Sequence, residues 1–145
     1  MSRENVELVR RLQPRPDADL VALFHDQRTA GGFDRLFAAF FHPDSECVLH
    51  MPGAEPVVYV GLEGWRNGWG DWLAPWVSYR SEIEELRDVG ERVVVLVRDY
   101  ARREPGTPEI GQIAAAVWTI RDAKVARAEF YAHRSEALKA VGLER

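Results

Sequence analysis

The sequence predicts an α+β domain in which a curved antiparallel sheet wraps, as a cone, around N-terminal helices. Three observations lead to this prediction. Apolar residues recur at helical spacing in the first third of the chain, segments rich in β-branched residues fill the second half, and a tryptophan-rich helix lies between them. The 145 residues have the length of one domain, so residues 1–145 are assigned to a single unit.

Three helices are predicted before the first strand. Ser2 is expected to cap the first helix, which Pro14 ends, and Asp17 is expected to cap the second. The third helix runs from about residue 33 to 41 and stops before Pro43. Their apolar positions are Val6, Val9 and Leu12; Leu20, Val21, Leu23 and Phe24; and Leu36, Phe37, Phe40 and Phe41.

Strand propensity and turn residues predict six strands and a closing helix. The strands are expected at residues 46–51, 57–60, 78–86, 92–102, 110–121 and 125–132, and the helix at 135–141. Asp122 and Ala123 are predicted to form a two-residue hairpin turn between the last two strands. An antiparallel sheet that curls has a mouth, where a ligand pocket is expected.

The segment GLEGWRNGWGDWLAPW places Trp65, Trp69, Trp72 and Trp76 within an arc of about 60° on one helix. Such a stripe packs a helix onto a sheet, and the same rings can also offer flat faces to a ligand. The two interpretations overlap because the core and the pocket lining of a cone are continuous. We expect mostly core, with Trp65 and Trp69 also lining the pocket.

Four segments resemble the SnoaL-like branch of the NTF2-like superfamily, and together they span nearly the whole chain. They are SRENVELVRRL, PDSECVLHMPG before GLEG, VWTIRDAKVARAEFY and RSEALKAVGL. The resemblance implies a cone-shaped α+β barrel, usually dimeric, with one apolar pocket per chain. The superfamily includes polyketide cyclases, ketosteroid isomerases, epoxide hydrolases, dehydratases and binders without catalytic activity, so the fold indicates the place of a site better than its reaction.

The stretch HMPGAEP is similar to a segment of ketosteroid isomerases in which an aspartate base precedes a Pro/Gly loop. On that pattern His50 takes the position of the base, and imidazole can exchange protons near neutral pH. The first helix lacks the tyrosine with which those isomerases stabilise an enolate, so steroid isomerisation is not expected. The alternative is a strand histidine that is exposed or bonded to a backbone carbonyl.

Asp99 interrupts the apolar strand RVVVLVRDYAR. Strand alternation places its carboxyl group on the same face as Val95 and Val97, where it is a possible partner of His50. The alternative is a solvated carboxylate at the open end of the strand.

In the last hairpin, Val117 and Phe130 are expected on a small apolar side that lines the cone. Arg127 and Glu129 are expected on the outer face, where a second chain would cover Trp118; Glu129 as an internal acid is the alternative. The predicted substrate-binding residues are Tyr59, Trp65, Trp69, Val117 and Phe130.

Composition excludes several classes of function. A net charge of −4 argues against nucleic-acid binding, and no apolar run is long enough for a membrane span. The single cysteine, Cys47, cannot form a disulfide within the chain, so a cytoplasmic protein is expected. The four histidines lack metal-ligand spacing and no glycine-rich phosphate loop is present, so neither a metal nor another cofactor is expected.

These patterns favour a cofactor-independent, homodimeric pocket protein that binds a small, largely apolar, ring-containing molecule. If it is an enzyme, it performs acid–base chemistry such as cyclisation, isomerisation, dehydration or hydrolysis, with His50 as base and Asp99 as partner. The alternatives are a non-catalytic ligand-binding domain and a dimeric interaction module with a filled cone. The number of polar groups in the pocket distinguishes these three alternatives, because an enzyme needs at least two polar groups that converge on one cavity.

Overall fold

In the computed structural model, which describes residues 2–143 apart from the side chains of Ser2 and residues 27–30, the chain begins with three helices. They are α1 (Ser2–Leu12), α2 (Leu20–Ala30) and α3 (Gly32–Phe40). Asp19, not Asp17, caps α2, because its carboxylate accepts a hydrogen bond from the Val21 N–H at 3.1 Å. The predicted cap at Ser2 lies outside the described side chains. Within the described part of the chain, no helix combines the length and apolarity needed to cross a bilayer.

A curved, unclosed sheet of six strands follows. The remaining elements are β1 (Phe41–His50), β2 (Val57–Val60), α4 (Gly61–Leu73), β3 (Ser78–Val89), β4 (Arg92–Arg102), β5 (Ile110–Arg121), β6 (Lys124–Tyr131) and α5 (Arg134–Ala140). The strand order is β2-β1-β6-β5-β4-β3. Neighbouring strands are antiparallel except β1 and β6, which run parallel. The predicted α+β fold class is confirmed.

The β5–β6 hairpin has the predicted two-residue turn, with positive φ angles of 54° at Asp122 and 63° at Ala123, as a type I′ turn requires. Beyond the turn the register shifts by one residue between Thr119 and Ile120, because Ala126 is an additional residue in β6. A shift of one residue exchanges the two faces of a strand relative to its partner. The residues of β5 that share a face with given residues of β6 therefore differ from those predicted.

The inner face of the sheet, which faces α1, α3 and α4, carries one continuous apolar cluster. Its members from the last three strands include Val95, Val97, Ala116, Trp118 and Phe130. Val117 lies on the opposite, outer face, where it packs with Leu138 of α5. The predictions that Val117 lines the cone and that Trp118 lies outside are therefore wrong, and the bulge at Ala126 is the physical reason.

Helix α4 packs closely against β1 and β2 because glycines face the strands. A Cβ atom at Gly64 would lie 2.9 Å from the carbonyl carbon of Tyr59, and one at Gly68 would lie 3.1 Å from Cys47 Sγ. At Gly64 an added Cβ would overlap the backbone of β2, and at Gly68 it would require the side chains of Tyr59 and Cys47 to move by a few tenths of an ångström. The close approach directs Trp65 and Trp69 of the same helix towards the inner face.

Candidate functional site

A cavity of about 350 Å³ lies between the inner face of the sheet and helices α1 to α4. This volume is within the range of small-molecule sites. Most of the wall is apolar and much of it is aromatic. The central rings belong to Phe41, Trp65, Trp69, Trp72, Trp118 and Phe130.

Phe130 of β6 is the centre of this aromatic wall. Its ring centroid lies 5.0 Å from that of Trp69 and 5.8 Å from that of Trp118, both at steep interplanar angles. Trp65 and Trp72 are also within 6.3 Å of it. Edge-to-face contacts of this kind fix the rings in place. Because the rings are fixed, the wall is a preformed surface for a flat apolar group.

A polar cluster around Asp99 of β4 interrupts the apolar wall. The Asp99 side chain accepts hydrogen bonds from the Tyr79 hydroxyl at 2.5 Å and from the Ser81 hydroxyl at 2.6 Å, one at each carboxylate oxygen. The Tyr79 oxygen in turn accepts a hydrogen bond from the Trp72 indole N–H at 3.0 Å. Asp99 is 8% exposed. The β3–β4 register places Ser81 directly opposite Asp99, so the sheet itself brings the cluster together.

The apolar surroundings change the acidity of this cluster. Burial raises the pKa of the Asp99 carboxyl above its ordinary value and outweighs the hydrogen bonds from Ser81 and Tyr79, which act in the opposite direction. Burial, reinforced by the Asp99 charge, also raises the pKa of the Tyr79 phenol. Tyr79 therefore stays protonated and donates, while Asp99 is more basic than an exposed aspartate. Such a carboxylate can accept a proton from a bound molecule.

His50 does not line this cavity. Cys47 and Leu49 of β1 belong to the inner cluster, and His50 projects from the outer face, where its Nε2 lies 3.2 Å from a Glu129 carboxylate oxygen. Its ring stacks on that of Tyr131 at 4.0 Å. The prediction that His50 is a base inside the cone is therefore wrong. Glu129, the alternative internal acid, lies on the same outer face beside Arg127.

Tyr59 is also separate from the cavity. Its ring packs beneath Gly64 and Gly68 of α4, and its hydroxyl donates a hydrogen bond to the Asp71 carboxylate at 2.6 Å. Its predicted role in substrate binding is not supported, because α4 covers it. Of the predicted site residues, the cavity brings together Asp99, Trp65, Trp69 and Phe130, and it does not include His50, Tyr59 or Val117.

Sequence reasoning missed several residues of the wall, among them Tyr79 and Ser81. The β3–β4 hairpin turns at Gly90 and Glu91, and counting back from this turn places Glu82 opposite Asp99, with Ser81 and Tyr79 on the other face of β3. A bulge at Glu84 shifts the register by one residue and brings Ser81 opposite Asp99 instead. The sequence does not show this bulge, so it carries no signal that these two residues face Asp99.

Several solved structures share this fold. A SnoaL-like polyketide cyclase candidate from Jannaschia sp. CCS1 is 16% identical, with a TM-score of 0.64, over 89% of this chain and 85% of that one. TerC, crystallised with polyporic acid, is 21% identical, with a TM-score of 0.60, over 95% and 97% of the two chains. An NTF2-like protein of unknown function from Burkholderia pseudomallei K96243 is 15% identical, with a TM-score of 0.63, over 96% and 98%. At such identities the likeness shows the fold alone.

The family assignment comes from the sequence. No curated protein matches it at a significant level. A family model described as the SnoaL-like domain matches residues 20–128, well over half of the 145 residues. The matched range includes the tryptophan helix, Asp99 and most of β6. The resemblance seen in the sequence is confirmed: the chain belongs to the SnoaL-like domain family.

Proposed function

We propose that this protein is a cofactor-independent acid–base enzyme whose cavity holds a small, largely apolar, ring-containing substrate. The observation that carries the proposal is a buried carboxyl group, Asp99, set in an aromatic wall and held by two hydroxyl donors. In the proposed step, the Asp99 carboxylate removes a proton from a substrate carbon next to a carbonyl group. The protonated carboxyl group then returns this proton to another atom of the substrate. Aldol-type cyclisation, double-bond isomerisation next to a carbonyl and dehydration of a β-hydroxy carbonyl compound each begin with this kind of step.

Each member of the polar cluster has a part in the proposed step. Asp99 accepts the proton, and the apolar wall keeps water away, so that the carboxylate stays more basic than it would be in solvent. Tyr79 and Ser81 hold the carboxylate in one orientation, and the Trp72 N–H orients Tyr79. A carboxylate that is oriented before the substrate binds needs little rearrangement when the proton moves.

The names of two structural neighbours are consistent with a ring-containing ligand. One is called a polyketide cyclase candidate, and TerC was crystallised with polyporic acid. These names support the proposed class of substrate and do not extend to its identity.

A non-catalytic ligand-binding domain is the second candidate function. The observation in its favour is that both carboxylate oxygens of Asp99 already accept hydrogen bonds from the protein. A cluster satisfied in this way could hold β3 against β4 without any chemistry. An enzyme and a binder would then have the same cavity and differ only in proton transfer.

The rate at which a ring ketone exchanges its protons for deuterium distinguishes an acid–base enzyme from a non-catalytic binding domain. In heavy water, the wild-type protein is expected to accelerate deuterium incorporation next to the carbonyl of α-tetralone, measured by proton NMR. Asp99→Asn should lower that rate at least about 100-fold, since a general base contributes 10²–10⁴-fold. Equilibrium dialysis should show that the same variant still binds α-tetralone within about threefold.

Asp88→Asn is the matched control, because Asp88 is an exposed carboxylate at the end of β3 that accepts a hydrogen bond from the Gly90 N–H. Its exchange rate should equal that of wild type. Binding of α-tetralone without accelerated exchange would support the binding domain, and an unchanged rate in Asp99→Asn would remove Asp99 from the proposed mechanism.

We also propose that two chains associate through the outer face of the sheet. Val58 and Val60 of β2 point to this face and are 49% and 55% exposed. Beside them, Glu46, Arg127 and Glu129 form a row of alternating charge that could pair with its own copy across a two-fold axis. A cytoplasmic location stays a prediction, which rests on the single cysteine of the chain, Cys47, whose thiol is free.

A further inference from the structure

One carboxylate oxygen of Asp19 joins helix α2 to strand β3. Asp19 Oδ1 accepts a hydrogen bond from the Val21 N–H at 3.1 Å and a second from the Tyr79 N–H, also at 3.1 Å. The first bond is local, whereas the second connects residues 60 positions apart in the chain. Capping of α2 accounts for the first bond and does not account for the second.

The second bond occupies a position that the sheet leaves open. β3 is the last strand of the sheet, and every second N–H of such a strand points away from its only neighbour. Asp19 gives the Tyr79 N–H the acceptor that a further strand would otherwise supply. A hydrogen bond to an ionised carboxylate is roughly twice as strong as one between neutral groups. The main chain at Tyr79 is therefore held between β4 and Asp19.

The Tyr79 side chain carries this restraint into the cavity. Its hydroxyl donates to Asp99 at 2.5 Å, so a displacement of the Tyr79 main chain would lengthen that hydrogen bond. Leu20, the first residue of α2, packs in the same buried cluster as Tyr79, and α2 also contributes to the cavity wall. Asp19 itself is exposed. It therefore acts on the site through its hydrogen bonds and not by filling space.

We infer that Asp19 is a positioning residue of the Asp99 site, which holds Tyr79 in place and so keeps the Asp99 carboxylate in the orientation that proton transfer needs. The inference rests on the proposed function for the reaction and adds a residue that does not line the cavity. The same carboxylate keeps α2 against β3, so the cavity wall and its polar cluster share one anchor.

The titration of Asp99 measures this effect without a ligand. Burial raises the pKa of the Asp99 carboxyl, and the hydrogen bonds from Ser81 and Tyr79 act against burial. A displaced Tyr79 would weaken its hydrogen bond and raise this pKa further, whereas loss of the Asp19 charge alone would lower it. Because the two effects have opposite signs, the direction of the shift identifies positioning.

The other titratable groups of the described cavity wall do not obscure this titration. Burial raises the pKa of the Tyr79 phenol, and it raises that of Tyr131 to about 12, so both phenols keep their protons while Asp99 titrates. Arg66, the remaining titratable residue of that wall, is paired with the carboxylates of Asp34 and Glu63.

The test is a ¹³C NMR titration of protein labelled at the aspartate carboxyl carbons, in which Asp99→Asn assigns the Asp99 resonance by its absence. Asp19→Asn removes the charge and keeps an acceptor oxygen, so it is the reference for Asp19→Ala, which removes both. The Asp99 midpoint should be about 0.5 higher in Asp19→Ala than in Asp19→Asn, as expected for a weakened hydrogen bond. Asp19→Ser keeps α2 capped, but its shorter side chain does not reach Tyr79, so its midpoint should match that of Asp19→Ala.

Asp17 provides the matched control, because it is an exposed aspartate two residues earlier whose carboxylate lies 3.6 Å from the Arg15 guanidinium. Asp17→Ala and Asp17→Asn should give the same Asp99 midpoint. In the exchange assay with α-tetralone, Asp19→Ala and Asp19→Ser should both be about tenfold slower than Asp19→Asn, since a misplaced catalytic group loses rate.

Equal Asp99 midpoints in Asp19→Ala, Asp19→Ser and Asp19→Asn would overturn the inference and reduce Asp19 to a helix cap. A raised midpoint in Asp19→Ala that is absent from Asp19→Ser would overturn it as well, because the cap alone would then hold the site. If wild type does not accelerate exchange, the proposed function fails, yet the titration still decides the role of Asp19 because it needs no ligand.

Discussion

At the scale of single residues, the environment of Asp99 has a consequence for stability as well as for chemistry. Its carboxyl group is buried, and its pKa is raised above the ordinary value. The folded protein therefore holds the Asp99 proton more tightly than the unfolded chain does. This difference links the free energy of unfolding to pH.

We predict that Asp99→Asn changes the pH dependence of stability. The contribution of Asp99 is fully present below the unfolded pKa of about 3.9 and is lost as pH rises through its raised folded pKa. The unfolding free energy of wild type, relative to Asp99→Asn, should therefore fall from pH 4 to pH 8, as measured by urea denaturation. Asp88→Asn should show no such fall, and a constant difference for Asp99→Asn would contradict the raised pKa.

The orientation of single residues could be predicted from the sequence only where alternation has a clear phase. Asp99 shares a face with Val95 and Val97, and the structure places all three at the cavity. In β1, Val48 and Leu49 are both apolar, so the pattern does not reveal which of them points inwards. The prediction for His50 rests on the similarity of HMPGAEP to an isomerase segment, and that similarity does not show which face of β1 the side chain occupies.

At the scale of elements, the position of α4 depends on glycines. Gly64 contacts the backbone of Tyr59, whereas Gly70 faces Phe24, at a distance where an added Cβ would make an ordinary contact of 3.7 Å. The same substitution at these two sites should therefore have opposite effects.

We predict that Gly64→Ala lowers the free energy of unfolding by about 1–3 kcal/mol, because the new methyl group would overlap the backbone of β2. Gly70→Ala should raise it by roughly 0.5–1 kcal/mol, because alanine is the better helix former. Chemical denaturation of both variants measures the difference. Equal effects of the two variants would show that the close approach of α4 to β2 is not rigid.

Strand boundaries were easier to predict than strand pairing. The limits of β4 and β5 agree with the prediction, because runs of β-branched residues and turn residues mark them. The bulge at Ala126 has no such mark, since alanine is common on both faces of these strands. One undetected residue was enough to exchange Val117 and Trp118 between the faces.

At the scale of the whole molecule, the proposed homodimer forms through the outer face of the sheet. Val57 and Val58 are neighbours on β2 with similar exposure, 45% and 49%. Val58 pairs with Val48 and points outwards, whereas Val57 pairs with Leu49, which points inwards. Substitutions at Val58 and Val57 therefore distinguish a dimer interface on the outer face of the sheet from one on the inner face.

We predict that Val58→Asp converts a homodimer into a monomer, because it places a carboxylate in the apolar part of the proposed interface. Val57→Asp should leave the dimer intact. Sedimentation velocity at micromolar concentration measures both. A monomeric wild-type protein, or equal dissociation of the two variants, would reject association through this face.

The architecture as a whole followed from the sequence better than the site did. Helical spacing, β-branched runs and the resemblance to a SnoaL-like domain indicated the fold and a cavity. The partners of Asp99 come from β3, 18 and 20 residues away in the chain, so they depended on an exact register.

Because the sheet does not close, β3 ends it with a free edge. Exposed edges can recruit strands from other molecules and start aggregation. This strand carries a dense series of charged side chains: Arg80, Glu82, Glu84, Glu85, Arg87 and Asp88. Like charges would meet if two such strands paired in parallel register, so these side chains oppose the recruitment of a second chain at the open edge of the sheet.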